Sequence, residues 1–303
     1  MEWEWEPEQQ NLGALGLAGI NREISRVVRR AILPNFANWG PPLLSALLLA
    51  NTAACSALSS RVGAACDSNN LDNGGGVLRL LADAAACFLL EIVTLGLWPL
   101  CTAAYVLCVA TLYRTSGDLL AADRVLKKDL TVVPLTRLAF TYLLVAVPFL
   151  VASTSLSVAG ALLWLELETV LPLRLLGWAT AAGWACAAYV AVVWQLACVV
   201  SVLEDAALFS AVRRSRVLLT GKFWAAACVL VTLDGCIIAV LKAFTALALD
   251  DALGVGLPFQ VAAGAAMFVA LCAVLVVTLV AQPVVYVVCK SHHQDVVDKA
   301  HLD

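Results

Sequence analysis

Apolar positions in this chain come in long runs, separated by segments in which arginine and lysine recur at helical spacing. A helix needs about 20 mostly apolar residues to cross a hydrocarbon core of about 30 Å. Six runs approach or exceed that length: Pro41–Ala57, Ala84–Ala110, Leu138–Leu165, Leu173–Val200, Phe223–Leu249 and Pro258–Val288. The fourth and sixth are long enough to tilt or to extend beyond the bilayer. Pro99, Pro148 and Pro283 fall inside runs, where each removes a backbone hydrogen bond and is expected to kink its helix. The pattern predicts an all-α fold: a polytopic membrane helix bundle of about six transmembrane helices, with amphipathic helices on the cytoplasmic side.

The polar segments are patterned too. Around a helix, Leu17, Ile20, Ile24, Val27, Val28 and Ala31 fall on one side and Arg22, Arg26, Arg29 and Arg30 on the other. Two placements satisfy that pattern. The apolar face can lie in the bilayer with the arginines toward anionic headgroups, or it can pack on the bundle. Pro34, Pro41 and Pro42 are expected to interrupt the helix before the first run. A second basic segment spans Asp118–Arg137 and a third Ser201–Lys222, so the layout of basic helix, span, outer loop and span occurs three times. The longest outer loop expected is Ser59–Gly76, which ends in a glycine- and asparagine-rich stretch and holds no N-x-S/T acceptor.

Charge sets the expected orientation. With six spans both termini share a side, and that side receives fifteen of the 19 lysines and arginines. The opposite side, counted with the spans, keeps Arg61, Arg79, Arg174 and Lys242. The positive-inside rule therefore places both termini in the cytoplasm, in an endomembrane or the plasma membrane. Composition agrees: 62% hydrophobic and 14% charged residues with a mean hydropathy of +0.90 exclude an ordinary soluble domain. Residues 1–11 carry Glu2, Glu4, Glu6 and Glu8 and no basic residue. They read as an acidic disordered tail rather than a cleavable signal. Residues 12–290 form the transmembrane domain, and 291–303 a polar cytoplasmic tail.

Candidate chemistry is sparse. Most of the 11 cysteines lie inside runs, where cysteine behaves as a small hydrophobe. Cys55 and Cys66 flank the same outer loop, where a disulfide is chemically permitted. The tail residues His292, His293, Asp295, Asp298 and His301 lack anything that would converge them on a metal, so neither a metal nor a cofactor is expected. No nucleotide-binding loop, nucleophile elbow or zinc-protease motif occurs, and no basic patch with stacking aromatics suits nucleic acid. Asp83, Glu91, Asp234 and Lys242 lie in or near the runs, where charge is costly and functional by default. Lys242 paired with Glu91 or Asp83 would be a structural solution. Glu91 coupled with Asp234 would be an ion- or proton-handling one.

The densest local signature is Ser201-Val202-Leu203-Glu204-Asp205, followed by Ser215 and Gly221-Lys222. Ser201-x-x-Glu204 has the spacing of a capping box, which starts a new helix as the fourth span ends. Leu208, Ala211, Val212, Ser215 and Leu219 share a face with Glu204, and Gly221 suits the position just past a helix end. With the preceding Val193-Trp194-Gln195-Leu196-Ala197-Cys198-Val199-Val200, and with the opening Leu15-Gly16-Leu17-Ala18-Gly19-Ile20, this stretch resembles a family of uncharacterised plant multi-pass membrane proteins. The resemblance covers most of the chain and implies a topology without an activity. The pattern of glutamate, serine and glycine is shared more loosely with the membrane domain attached to some bacterial glycerophosphodiester phosphodiesterases, whose chemistry belongs to a separate domain. The chain departs from the plant family at Leu208, where glycine is usual.

Two functional readings follow, and a third, an intramembrane enzyme, finds no motif in the sequence. One is a non-enzymatic protein that organises membranes or assists other membrane proteins, with the lipid bilayer, anionic lipids included, as partner. The other is a transporter or channel using Glu91 and Asp234. A polar path through the bundle separates them. For topology, tags at each end should both be digested by protease from the cytoplasmic side of sealed vesicles, and a protected terminus would overturn the six-span reading.

Overall fold

The computed structural model describes residues 16–30, 35–67, 74–114, 136, 138–140, 142, 173–204, 206, 209–250, 254 and 256–300. Among these the chain is helical and contains no strand. Helix α1 spans Leu17–Arg30, α2 Asn35–Asp67, α3 Gly74–Arg114 and α4 Leu173–Leu203. The short α5 covers Phe209–Leu219, α6 Phe223–Phe244 with a π-helical turn at Thr245–Leu249, and α7 Leu257–Ala300. Five helices are long and apolar enough to cross a membrane, over Trp39–Val62, Leu81–Tyr113, Ala185–Leu203, Phe223–Leu249 and Leu257–His293. They match five of the six expected runs. The third, Leu138–Leu165, lies outside the described residues except at its start, where Leu138–Phe140 and Tyr142 are helical. The second basic segment and the acidic tail also lie outside them.

The main core lies at one end of the bundle. It joins Ile20, Ile24 and Val27 of α1 to the C-terminal halves of α3, α4 and α7, the start of α6, and Ala211, Leu218 and Leu219 of α5. A second core at mid-bundle packs Leu44 and Leu49 of α2 against Ile237 of α6 and Leu271 and Leu275 of α7. Away from the cores the helices present large apolar side chains outward, among them Phe88, Leu89, Ile92 and Val269, as a lipid-facing surface requires.

Helix α1 takes the second of its two possible placements. Ile20, Ile24 and Val27 are at most 5% exposed, pressed into the bundle, so that face is not available to lipid. Arg22, Arg26 and Arg29 point outward. Glu23 is buried, accepts a hydrogen bond from the Tyr113 hydroxyl of α3 at 3.2 Å and pairs with Arg26 at 3.1 Å. The hydrophobic stripe therefore met helices before it met lipid.

Two local expectations fail. Helix α2 runs through Pro41 and Pro42 instead of starting after them, because neighbouring helices can accommodate carbonyls that proline leaves unbonded. It also continues to Asp67, and α3 begins at Gly74, so most of the expected Ser59–Gly76 loop is helix. Cys55 and Cys66 consequently sit on one continuous helix, about 16 Å apart along its axis. A disulfide cannot span that distance, and Cys55 is a free thiol. Helix α7 likewise continues through the expected polar tail to Ala300.

Gly40 brings α2 close against α3. A Cβ added there would lie 2.9 Å from the Sγ of Cys101, whose side chain is buried. Gly40→Ala should therefore lower the melting temperature in detergent, at an overpacking cost of about 1–3 kcal/mol. The double variant Gly40→Ala/Cys101→Ala should recover most of that loss. No recovery would show that the contact is not the cause.

Candidate functional site

Two clusters gather the polar residues of this apolar chain. The first is the junction after α4. Ser201 does not start a helix there: α4 runs unbroken to Leu203, and the Ser201 hydroxyl donates to the Cys198 carbonyl at 2.7 Å within its own helix. The Glu204 amide still donates to the Val200 carbonyl at 2.8 Å, so Glu204 closes α4 rather than opening α5. The capping box is thus displaced, because the carboxylate finds stronger partners far along the chain. The Tyr286 hydroxyl of α7 donates to Glu204 Oε1 at 2.6 Å. The Lys290 ammonium donates to the same oxygen at 3.2 Å and to the Tyr286 oxygen at 3.1 Å. Arg214 of α5 forms an ion pair with the other carboxylate oxygen. One carboxylate thereby ties the end of α4 to α5 and α7.

The rest of the motif serves the same junction. Ser215 is fully buried, with its Oγ 3.1 Å from the Val193 carbonyl of α4 and 2.8 Å from the Val212 carbonyl of its own helix. Gly221 follows the end of α5 with φ at 88°, a conformation that suits glycine, and His292 packs close above it. Lys222 is half-buried beside that turn. Asp205 and Leu208 lie outside the described residues. Arg213, Arg214 and Arg216 are exposed, and Arg216 stacks over the Tyr189 ring at 5.7 Å. Beside the Glu204 cluster a cavity of about 510 Å³ is lined by Ser210, Arg213, Lys290 and His293.

The second cluster lies near mid-span. A cavity of about 500 Å³ takes side chains from all five described spanning helices, with Leu138 and Tyr142. Glu91 of α3 and Asp234 of α6 both line it. Neither is held by the partner the sequence suggested. The Asn51 amide of α2 donates to Glu91 at 2.6 Å, and the Gln195 amide of α4 donates to Asp234 at 2.7 Å. Asp83 instead pairs with Arg61 across α2 and α3, and Lys242 is exposed. The described lining includes no cation. Its aromatic side is Trp98, Trp194 and Tyr142, the last two with ring centroids 4.9 Å apart. Among the described residues, four buried polar atoms of the lining have no hydrogen-bond partner: Thr102 Oγ1, Trp194 Nε1, Gln195 Oε1 and Gln282 Oε1.

Charge alone led to Glu91 and Asp234 in the sequence. Their amide partners carry no charge, and Gln195 stands in the sequence only as part of the string before Ser201. Asn51, Gln195 and Gln282 are each a strong hydrogen-bonding group in an apolar run, which is the signal that marks them. Tyr286 and Lys290 carried no local signal, since their link to Glu204 spans more than 80 residues.

Helices of spanning length that turn large apolar side chains outward define an all-α integral membrane protein. The chain belongs to the family described as Domain of unknown function (DUF8558), which it matches over residues 5–303. No curated protein and no solved structure matches it.

The Glu204 cluster makes a graded prediction. Glu204→Ala removes the acceptor shared by Tyr286 and Lys290 and should cost about 3 kcal/mol. Glu204→Gln keeps an acceptor for Tyr286 but no counter-charge, and should cost about 1–2 kcal/mol. In a double-mutant cycle by thermal unfolding, Glu204→Ala and Lys290→Ala should be less than additive. Strict additivity would mean that the pair does not stabilise the fold.

Proposed function

We propose that this protein is a non-enzymatic solute-binding membrane protein of the transporter or channel kind, and that the mid-span cavity is its working site. The observation that carries the reading is the convergence of Glu91 and Asp234 on one cavity, each held by a neutral amide. A carboxylate in an apolar bundle is expensive unless a charge, a proton or water offsets it. An amide donor supplies one hydrogen bond and no charge. Two such groups facing one space favour a site that receives something polar over a dry structural core. Glu91 and Asp234 are the polar contacts in this reading, with Asn51 and Gln195 as the residues that position them.

The membrane-organising reading retains one supporting observation. Arg22, Arg26 and Arg29 of α1 and Arg213 and Arg216 of α5 are exposed at the same end of the bundle. Each basic residue near an anionic surface contributes roughly 1 kcal/mol, reduced by salt. That charge favours contact with an anionic leaflet and, by the positive-inside rule, a cytoplasmic position for both termini. Such contact would place the bundle without giving it an activity, and it is compatible with a solute site.

Access of water to the cavity tests the proposal. Ala188 lines it, whereas Leu89 faces outward from α3. With the exposed native cysteines and the cavity-lining Cys198 replaced by serine, Ala188→Cys should react with a charged, water-soluble methanethiosulfonate reagent in lipid nanodiscs, and Leu89→Cys should not. Equal inertness at both positions would make the bundle dry and remove the solute-binding reading.

A further inference from the structure

Resting on the solute-binding reading of the mid-span cavity, we propose that its ligand is an organic ammonium cation with an apolar body, rather than a bare metal ion or a neutral lipid. The chemistry of the wall is mixed in a particular way. Glu91 and Asp234 supply negative charge from α3 and α6, and no described lining residue is cationic. Trp98, Trp194 and Tyr142 supply aromatic faces. Tryptophan and tyrosine faces attract ammonium groups, and more strongly where water is excluded.

A metal ion fits these walls poorly. Hard cations take six or more oxygen ligands at fixed short distances. Here the carboxylates sit on separate helices, each already committed to an amide, and the rest of the described lining is largely aromatic and aliphatic. The cavity, at about 500 Å³, falls in the range that encloses a small organic molecule. A neutral hydrocarbon would fill the space but would leave both carboxylates without a counter-charge. The unpartnered polar atoms add a second requirement. Gln195 Oε1, Gln282 Oε1 and Thr102 Oγ1 can accept hydrogen bonds, whereas Trp194 Nε1 can only donate one. Buried unpaired groups of this kind are costly. An amine carrying N–H donors and one acceptor would satisfy both types, so primary and secondary amines with a hydroxyl or carbonyl should bind better than quaternary ones.

The test uses the full chain in lipid nanodiscs and two probes of nearly equal shape. Tritiated benzyltrimethylammonium carries a permanent charge, and neopentylbenzene is its neutral carbon isostere. The charged probe should bind saturably, one per chain. Excess neopentylbenzene should not displace it, nor should sodium chloride at constant ionic strength. Asp234→Asn and Glu91→Gln keep size and much of the hydrogen bonding. Each should weaken binding at least about tenfold, equivalent to 1.4 kcal/mol, while elution and melting stay as in the parent. An amine bearing N–H groups, 2-phenylethylamine, should compete more strongly than benzyltrimethylammonium itself. Equal competition by neopentylbenzene would overturn the cationic class and leave a solute cavity standing. Displacement by sodium would replace the organic cation with a metal ion. Absence of saturable binding in a protein whose Ala188→Cys is reactive would overturn this inference alone. Absence of both binding and reactivity would remove the underlying reading too.

Discussion

Hydrocarbon offers a polar atom no partner, so every polar group that enters the bilayer must find one inside the protein. That constraint organises this molecule. Backbone groups are satisfied by long helices, with α3 and α7 reaching 41 and 44 residues. Several hydroxyls in the spans turn back on their own helices, as Thr94 does to Leu90 at 2.8 Å and Thr278 to Val274 at 2.8 Å. Charged and amide side chains cannot be satisfied so locally. They reach across to another helix, and those few cross-links decide which helices lie together.

The same constraint explains how the two polar clusters differ. At the α4 junction Glu204 is 9% exposed, with two basic side chains and a tyrosine hydroxyl around it. Its charge is balanced, and it reads as a tie between elements. Near mid-span, Glu91 and Asp234 have hydrogen bonds but, among the described lining residues, no balancing charge. Deep burial of polar groups is tolerated in both places, but only the first is closed within the described residues.

Hydrophobic periodicity made the architecture legible, because helix length and apolar content are local properties of the sequence. The spans beginning at Phe223 and near Leu257, and the turn at Gly221, are where the pattern places them. What the sequence concealed depended on distance along the chain. Ser201 and Glu204 have the spacing of a cap, yet Tyr286 and Lys290 compete for the carboxylate from 82 and 86 residues away. The stripe on α1 reads equally well as lipid-facing or bundle-facing, and only the positions of α6 and α7 decide. Pro41 and Pro42 look like breaks because local rules take no account of the helices packed around α2. In the mid-span cavity the charged residues were visible as anomalies, while their convergence was a property of the fold.

The cross-links of the spanning region also fall into a pattern of their own. Asn51–Glu91 and Arg61–Asp83 join α2 to α3, and Gln195–Asp234 joins α4 to α6. The cavity lies between these two couples, and none of the three links bridges it. Among the described residues, the two couples are held together by apolar packing instead: by the main core at the α1 end, and by Leu44 and Leu49 of α2 against Ile237 of α6. Glu91 and Asp234 therefore enter the cavity from different couples, each carried by its own polar brace.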